Sequence, residues 1–177
     1  MRPLPRFTIV VSAAIALVLP SGCGYHTLGA ATHLPPGLKT LAVPVFATRT
    51  EANGTETAMT EAVVRELIAR TRFRVTTDSG ADADAVLRGT ILKQAVQPLT
   101  YNAATQQSSS FVITIVASVT LTAHDGRVLY QNKNYVYREQ YQSTTDLPTF
   151  IQEDPAAIQR LAREFARQLV ADVLEGL

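Results

Sequence analysis

Residues 111–124, FVITIVASVTLTAH, carry a two-residue alternation broken only at Val112 and Val116. Phe111, Ile113, Ile115, Ala117, Val119, Leu121 and Ala123 share one parity; Thr114, Ser118, Thr120 and Thr122 mark the other. Period two sustained over that length predicts a strand with one face buried and one face wet. Asp125-Gly126 follows at once and is a strong tight-turn signal. The return run, Arg127 to Gln142, places Tyr135, Tyr137 and Tyr141 on one parity, where cross-strand aromatic pairs support a long hairpin. Such a hairpin has to lay its apolar face against something, so the rest of the chain must supply a cover.

Two segments have the period for it. In 55–70, Met59, Ala62, Val63 and Leu67 form an apolar stripe widened by Val64 and Ile68, with Thr55 as the expected N-cap. Near the C-terminal end, Asp154 caps a helix whose first turn holds Pro155. There Ile158, Leu161, Ala162, Phe165, Ala166, Leu169, Val170 and Val173 recur at helical spacing opposite Arg160, Arg163, Glu164, Arg167 and Gln168. Further strands are expected at 38–46, where Pro44 forces an edge or a bend, and at 73–77, before the polar break DSGADAD. A longer strand, 85–97, is expected to stop at Pro98, with Gly89 marking a bulge or a close neighbour. Thr100–Ser110, TYNAATQQSSS, reads as an uncharged loop. The order predicts an α+β fold: two helices packed on one face of a four- to five-stranded mixed β-sheet, a two-layer sandwich.

The sheet's other face poses the functional question. Its alternating positions carry hydroxyls, interrupted by Val112 and Val116, rather than the charges that usually keep sheets apart. That composition suits contact with another protein's polar wall; an ordinary solvated sheet face is the alternative.

The chain begins with Arg2 and Arg6, then an apolar run at 7–19, then Ser21 and Gly22 before Cys23, the single cysteine. A run that short fits a secretory signal rather than a membrane span of about 20 residues. A lone cysteine at the cleavage point suits thioether attachment of lipid better than disulfide formation. The expected division is a lipoprotein-type signal over 1–22, a lipidated segment over 23–37 and one α+β domain over 38–177. Pro20 stands where such signals usually carry Leu, with Leu19 one step earlier. Gly24, in place of Asp, points to the outer membrane. The competing reading is a secreted protein with an incidental free thiol.

Composition narrows the function. Of 16 Lys and Arg, Arg2 and Arg6 leave with the signal, so 14 face 15 Asp and Glu, and no basic footprint for nucleic acid remains. His26, His33 and His124 share no ligand spacing. Asp78, Asp82 and Asp84 lack the Glu that would close a calcium loop. With the thiol committed to lipid and no glycine-rich phosphate loop, neither catalysis, a metal nor a cofactor is expected.

Several segments carry a resemblance. Cys23-Gly24-Tyr25-His26 with Leu28, and His33-Leu34-Pro35 with Leu41-Ala42-Val43-Pro44-Val45-Phe46, resemble the mature start and first strand of the lipopolysaccharide-assembly lipoproteins, the LptE family. Gly54, Glu56, Thr60 and Glu66-Leu67 resemble its first helix, and Ala83-Asp84-Ala85-Val86-Leu87-Arg88-Gly89 its entry into a long strand. The resemblance implies a non-enzymatic lipoprotein on the periplasmic face of the outer membrane. Such proteins plug and help assemble an LptD-type β-barrel, the lipopolysaccharide export pore, and contact lipopolysaccharide. Pro98 opens the segment that resembles the family's barrel-facing loop. Where lipopolysaccharide-binding members carry basic side chains, Tyr101 and Asn102 stand here, and Lys93, Lys133 and Arg138 are the nearest strand-borne cations.

Two other readings stay open. LAVPVF and TEAVVRELIARTRFRV also resemble the opening of the TolB amino-terminal domain and of curli-type secretion lipoproteins, implying a periplasmic interaction module or an oligomeric pore. A small-ligand module would instead need a deep aromatic pocket between helix and sheet.

Overall fold

Where the chain meets Pro44, it turns out of one strand and into another. In a computed structural model, which describes residues 34–50, 54–78, 82–102, 107–142 and 155–176, the expected strand at 38–46 resolves into β1 (Thr40–Ala42) and β2 (Ala47–Thr48). Proline has no N–H for a ladder, so the chain bends there. After α1 (Thr55–Arg70) and β3 (Arg74–Thr76), the three long strands follow: β4 (Ala85–Asn102), β5 (Gln107–Ala123) and β6 (Val128–Gln142). The chain then forms α2 (Pro155–Glu175). Asp154 lies outside the described residues, as do Cys23, His26, His33 and all of 1–33.

The six-stranded mixed sheet runs β3-β1-β4-β5-β6, with β2 also on β4. β1 and β2 meet β4 in parallel, whereas β4–β5 and β5–β6 are antiparallel. Both helices lie on one face, so the α+β sandwich is as expected, with the short β2 as the added strand. On the covered face Ile113, Ile115, Ala117, Val119 and Leu121 are at most 1% exposed. Against them, α2 buries Leu161, Ala162, Phe165, Ala166, Leu169 and Val170, all from its anticipated stripe. Each of the Val, Leu, Ile and Phe side chains among them contributes about 1.5–3 kcal/mol on burial.

Three local expectations are corrected. Thr55 is the first residue of α1 and fully buried, not its cap; Gly54 takes the N-cap position at φ 90°, a left-handed conformation that glycine adopts without strain. Ile68 is 58% exposed, because α1 turns only its Met59, Ala62, Val63 and Leu67 side inward. Pro98 does not end β4: the strand continues to Asn102, and Thr100 and Asn102 pair with Ser110 and Gln107. The physical reason is the edge. β2 covers β4 only as far as Ile91, so the distal half of β4 has a neighbour on one side alone. A proline is tolerated there, and the extra residue Leu99 is taken up as a register shift against Phe111 and Ser110. The expected uncharged loop is therefore largely hairpin, with only 103–106 outside the description.

Candidate functional site

Among the described residues, helices cover one face of the sheet and nothing covers the other. The register places its side chains in rows across β4, β5 and β6. One row holds Val86, Thr122 and Val128, and the next Arg88, Thr120 and Gln131. Thr90 and Ser118 follow, then Lys93, Val116 and Val136. The last two rows are Ala95, Thr114 and Arg138, and Gln97, Val112 and Gln140. The hydroxyl parity expected from the alternation is thus real, and the middle of the face is a band of Thr and Ser side chains. Gln131 Nε2 donates to Thr120 Oγ1 at 3.3 Å across the strands.

The charge on this face is one-sided. The three long strands contain a single carboxylate, Glu139. It lies opposite Ile113 on the helix-facing parity and accepts from Arg160 Nε of α2 at 2.6 Å. On the helical layer Arg65, Arg70, Arg160 and Arg167 each have a carboxylate in reach, at 3.4, 2.6, 2.6 and 2.9 Å. Arg88, Lys93 and Arg138 are exposed on the open face and, among the described residues, none has an ion pair.

The structure distributes the residues singled out from the sequence. Lys93 and Arg138 share the open face in adjacent rows, separated by β5. Lys133 is exposed within the irregularity of β6 between Asn132 and Tyr135, where the register gives it no partner on β5. Pro98 is opposite Phe111 on the other parity, so it does not join the cations. Tyr101 and Asn102 are the last residues of β4, at the far end of the hairpin. Cys23 lies outside the described residues.

Sequence reasoning missed a buried polar group on the covered side. Tyr135 Oη donates to Asp172 Oδ2 at 2.6 Å, Tyr130 Oη hydrogen-bonds Tyr135 Oη, and Gln168 Nε2 donates to Asp172 Oδ1 at 2.6 Å. Asp172 is 8% exposed and Tyr135 6%. Tyr130 and Tyr135 have opposite parity in sequence; the irregularity of β6 between them brings both to the helix side. Burial, then the Asp172 carboxylate, pushes the Tyr135 hydroxyl far above its ordinary value; burial also raises Tyr130 and Tyr137. This group fastens the last turns of α2 to the sheet. Tyr137 and Tyr135 both meet the edge of Phe165, at 5.4 and 5.7 Å between ring centroids. Among the described residues, no three of His, Cys, Asp and Glu come together, and no helix is long and apolar enough to cross a membrane.

Comparison with known proteins agrees with this architecture. A search of curated proteins found no match. The fold is similar to a PelC dodecamer subunit from Paraburkholderia phytofirmans, with TM-score 0.51 and 13% identity over 79% of this chain and 94% of that one. It is equally similar to the uncharacterized lipoprotein B of Nitrosomonas europaea, with TM-score 0.51 and 11% identity over 84% of this chain and 86% of that one. At those identities the likeness concerns the fold. Residues 38–173 match the family model described as lipopolysaccharide-assembly, which takes in both helices' apolar stripes and every strand, and the chain belongs to that family, LptE.

Proposed function

We propose that this protein is a non-enzymatic lipoprotein of lipopolysaccharide assembly, acting as plug and assembly partner of an LptD-type export barrel. In this reading residues 1–22 are removed, Cys23 carries the lipid, and the domain sits at the periplasmic face of the outer membrane. The observation that carries it is the family match over 38–173. The open face gives the reading a physical basis. The lumen of an outer-membrane barrel is polar, and a hydroxyl-covered sheet with few charges meets such a wall at small desolvation cost. Anchoring by more than one acyl chain would hold the domain at the membrane while the barrel folds around it.

Depletion of the protein tests this. Loss should lower the amount of folded barrel, read as heat-modifiable migration in gels, and should deplete lipopolysaccharide from the cell surface. Unchanged barrel folding and unchanged surface lipopolysaccharide would contradict the assignment.

A further inference from the structure

Three cations registered on the open face, Arg88, Lys93 and Arg138, have no ion pair among the described residues, and their spacing constrains what can cover that face. Arg88 and Lys93 lie five residues apart on β4. The register shift between Ile91 and Lys93 takes up one of these, so they stand opposite Thr120 and Val116 of β5, roughly 13 Å apart at about 3.3 Å per residue. Lys93 and Arg138 are two strands apart and one row offset, about 10 Å across and about 7 Å along. Cations that bind one phosphate group converge on it within hydrogen-bond distance. These three do not converge. Each therefore meets a separate anion, and an occupant able to supply anions at such intervals is a folded protein surface bearing scattered carboxylates. Between the cations lie Thr114, Ser118 and Thr120, which both donate and accept hydrogen bonds, and the directly opposed pair Val116–Val136. Val136 is 41% exposed and Val128 54% on this side. A small apolar step amid hydroxyls, ringed by spaced cations, is the pattern of a protein contact with a polar surround.

From this we propose that the open face of β4–β5–β6 docks against an acidic stretch of protein wall, whose carboxylates pair with Arg88, Lys93 and Arg138. The inference rests on the export-barrel reading and names the face and the charge of the wall it meets. The helical layer, with its arginines largely paired internally, then faces away from that stretch.

The test uses the full-length protein in its native membrane. The variant Arg88→Glu/Lys93→Glu/Arg138→Glu is compared with Arg163→Glu, an exposed helix-layer control. Barrel recovery with the tagged protein should fall about tenfold for the triple variant, as three exposed ion pairs sum to that order, and stay unchanged for the control. A photo-crosslinker at Thr114 should capture the barrel polypeptide. If the glutamate variant loses its thermal transition, Arg88→Gln/Lys93→Gln/Arg138→Gln serves instead, with a smaller drop in the same direction. Full recovery of the barrel by a folded triple variant overturns the proposal, and so does capture of lipopolysaccharide instead of protein at Thr114. Absence of any barrel with the unaltered protein would overturn the export-barrel reading itself.

Discussion

The ring of Phe46 lies directly on the backbone of Gly89. A Cβ added at Gly89 would stand 2.6 Å from Phe46 Cγ, inside the ring's van der Waals surface. Phe46 is 2% exposed, its N–H donates to Thr60 Oγ1 at 2.9 Å, and its ring meets the edge of Phe165 at 6.1 Å. One contact thus joins the segment before β2, the centre of β4 and both helices.

Gly89→Ala should therefore destabilise the domain by about 1–3 kcal/mol through overpacking. Phe46→Ala should cost about 3–5 kcal/mol by leaving a cavity. In the Phe46→Ala background the added methyl at Gly89 should cost almost nothing, so thermal unfolding of the double variant should show strong non-additivity. Additive effects would place the ring elsewhere.

Tyr135→Phe removes a donor from the buried Asp172 and should cost about 1–3 kcal/mol. Amide exchange should quicken in the last turns of α2 while β4 stays protected. The Tyr135 pKa is raised on folding, so its contribution is present below its ordinary value of 10.0 and is lost as pH rises through the folded value. Alkaline unfolding of the wild type should therefore be steeper than that of Tyr135→Phe, monitored by circular dichroism.

Asp84 works at the other end of the pH scale. Its Oδ2 accepts the backbone N–H groups of Lys39 and Thr40 at 2.8 and 2.7 Å, and these bonds, Lys39 first, lower its pKa from 3.8. Its contribution is present above 3.8 and is lost as pH falls through the depressed value. Asp84→Asn should therefore lower stability throughout the range above pH 4, leave the acid end nearly unchanged, and so flatten the acid limb of the profile.

Much of this architecture was legible from local pattern. The alternation at 111–124 and the apolar stripe of α2 each repeat often enough for one misplaced residue not to matter. The expected close neighbour of Gly89 also exists, in Phe46. What local pattern could not carry was whatever depends on a distant strand. Pro98 stops a central strand but not an edge, and nothing near Pro98 says that β2 ends beside Ile91. Tyr130 and Tyr135 reach one face only because β6 is irregular between them, and Asp172 looks like a solvated helix residue until that irregularity brings both hydroxyls to it. The positive open face was half visible. Lys93 and Arg138 were singled out in sequence but Arg88 was not, and their shared side and the diversion of Glu139 to Arg160 follow from register.

Among the described residues, Gln94 has no hydrogen-bond partner for either buried amide atom, and it lies opposite Ile115 on the helix-facing parity. Gln94→Leu should therefore raise stability by about 1–2 kcal/mol, measured as a higher midpoint in denaturant with unchanged slope.

Cys23→Ser should shift the protein out of the membrane pellet once the barrel is absent, while its thermal transition stays that of the wild type. Retention in the pellet under those conditions would argue against a lipid at this residue.

Partnership with an export barrel is tested by affinity purification of the tagged full-length protein from solubilised outer membranes, with mass spectrometry of what accompanies it. A stoichiometric β-barrel of translocon size is the predicted result. Recovery of the protein alone, or only as an oligomer of itself, would contradict the claim.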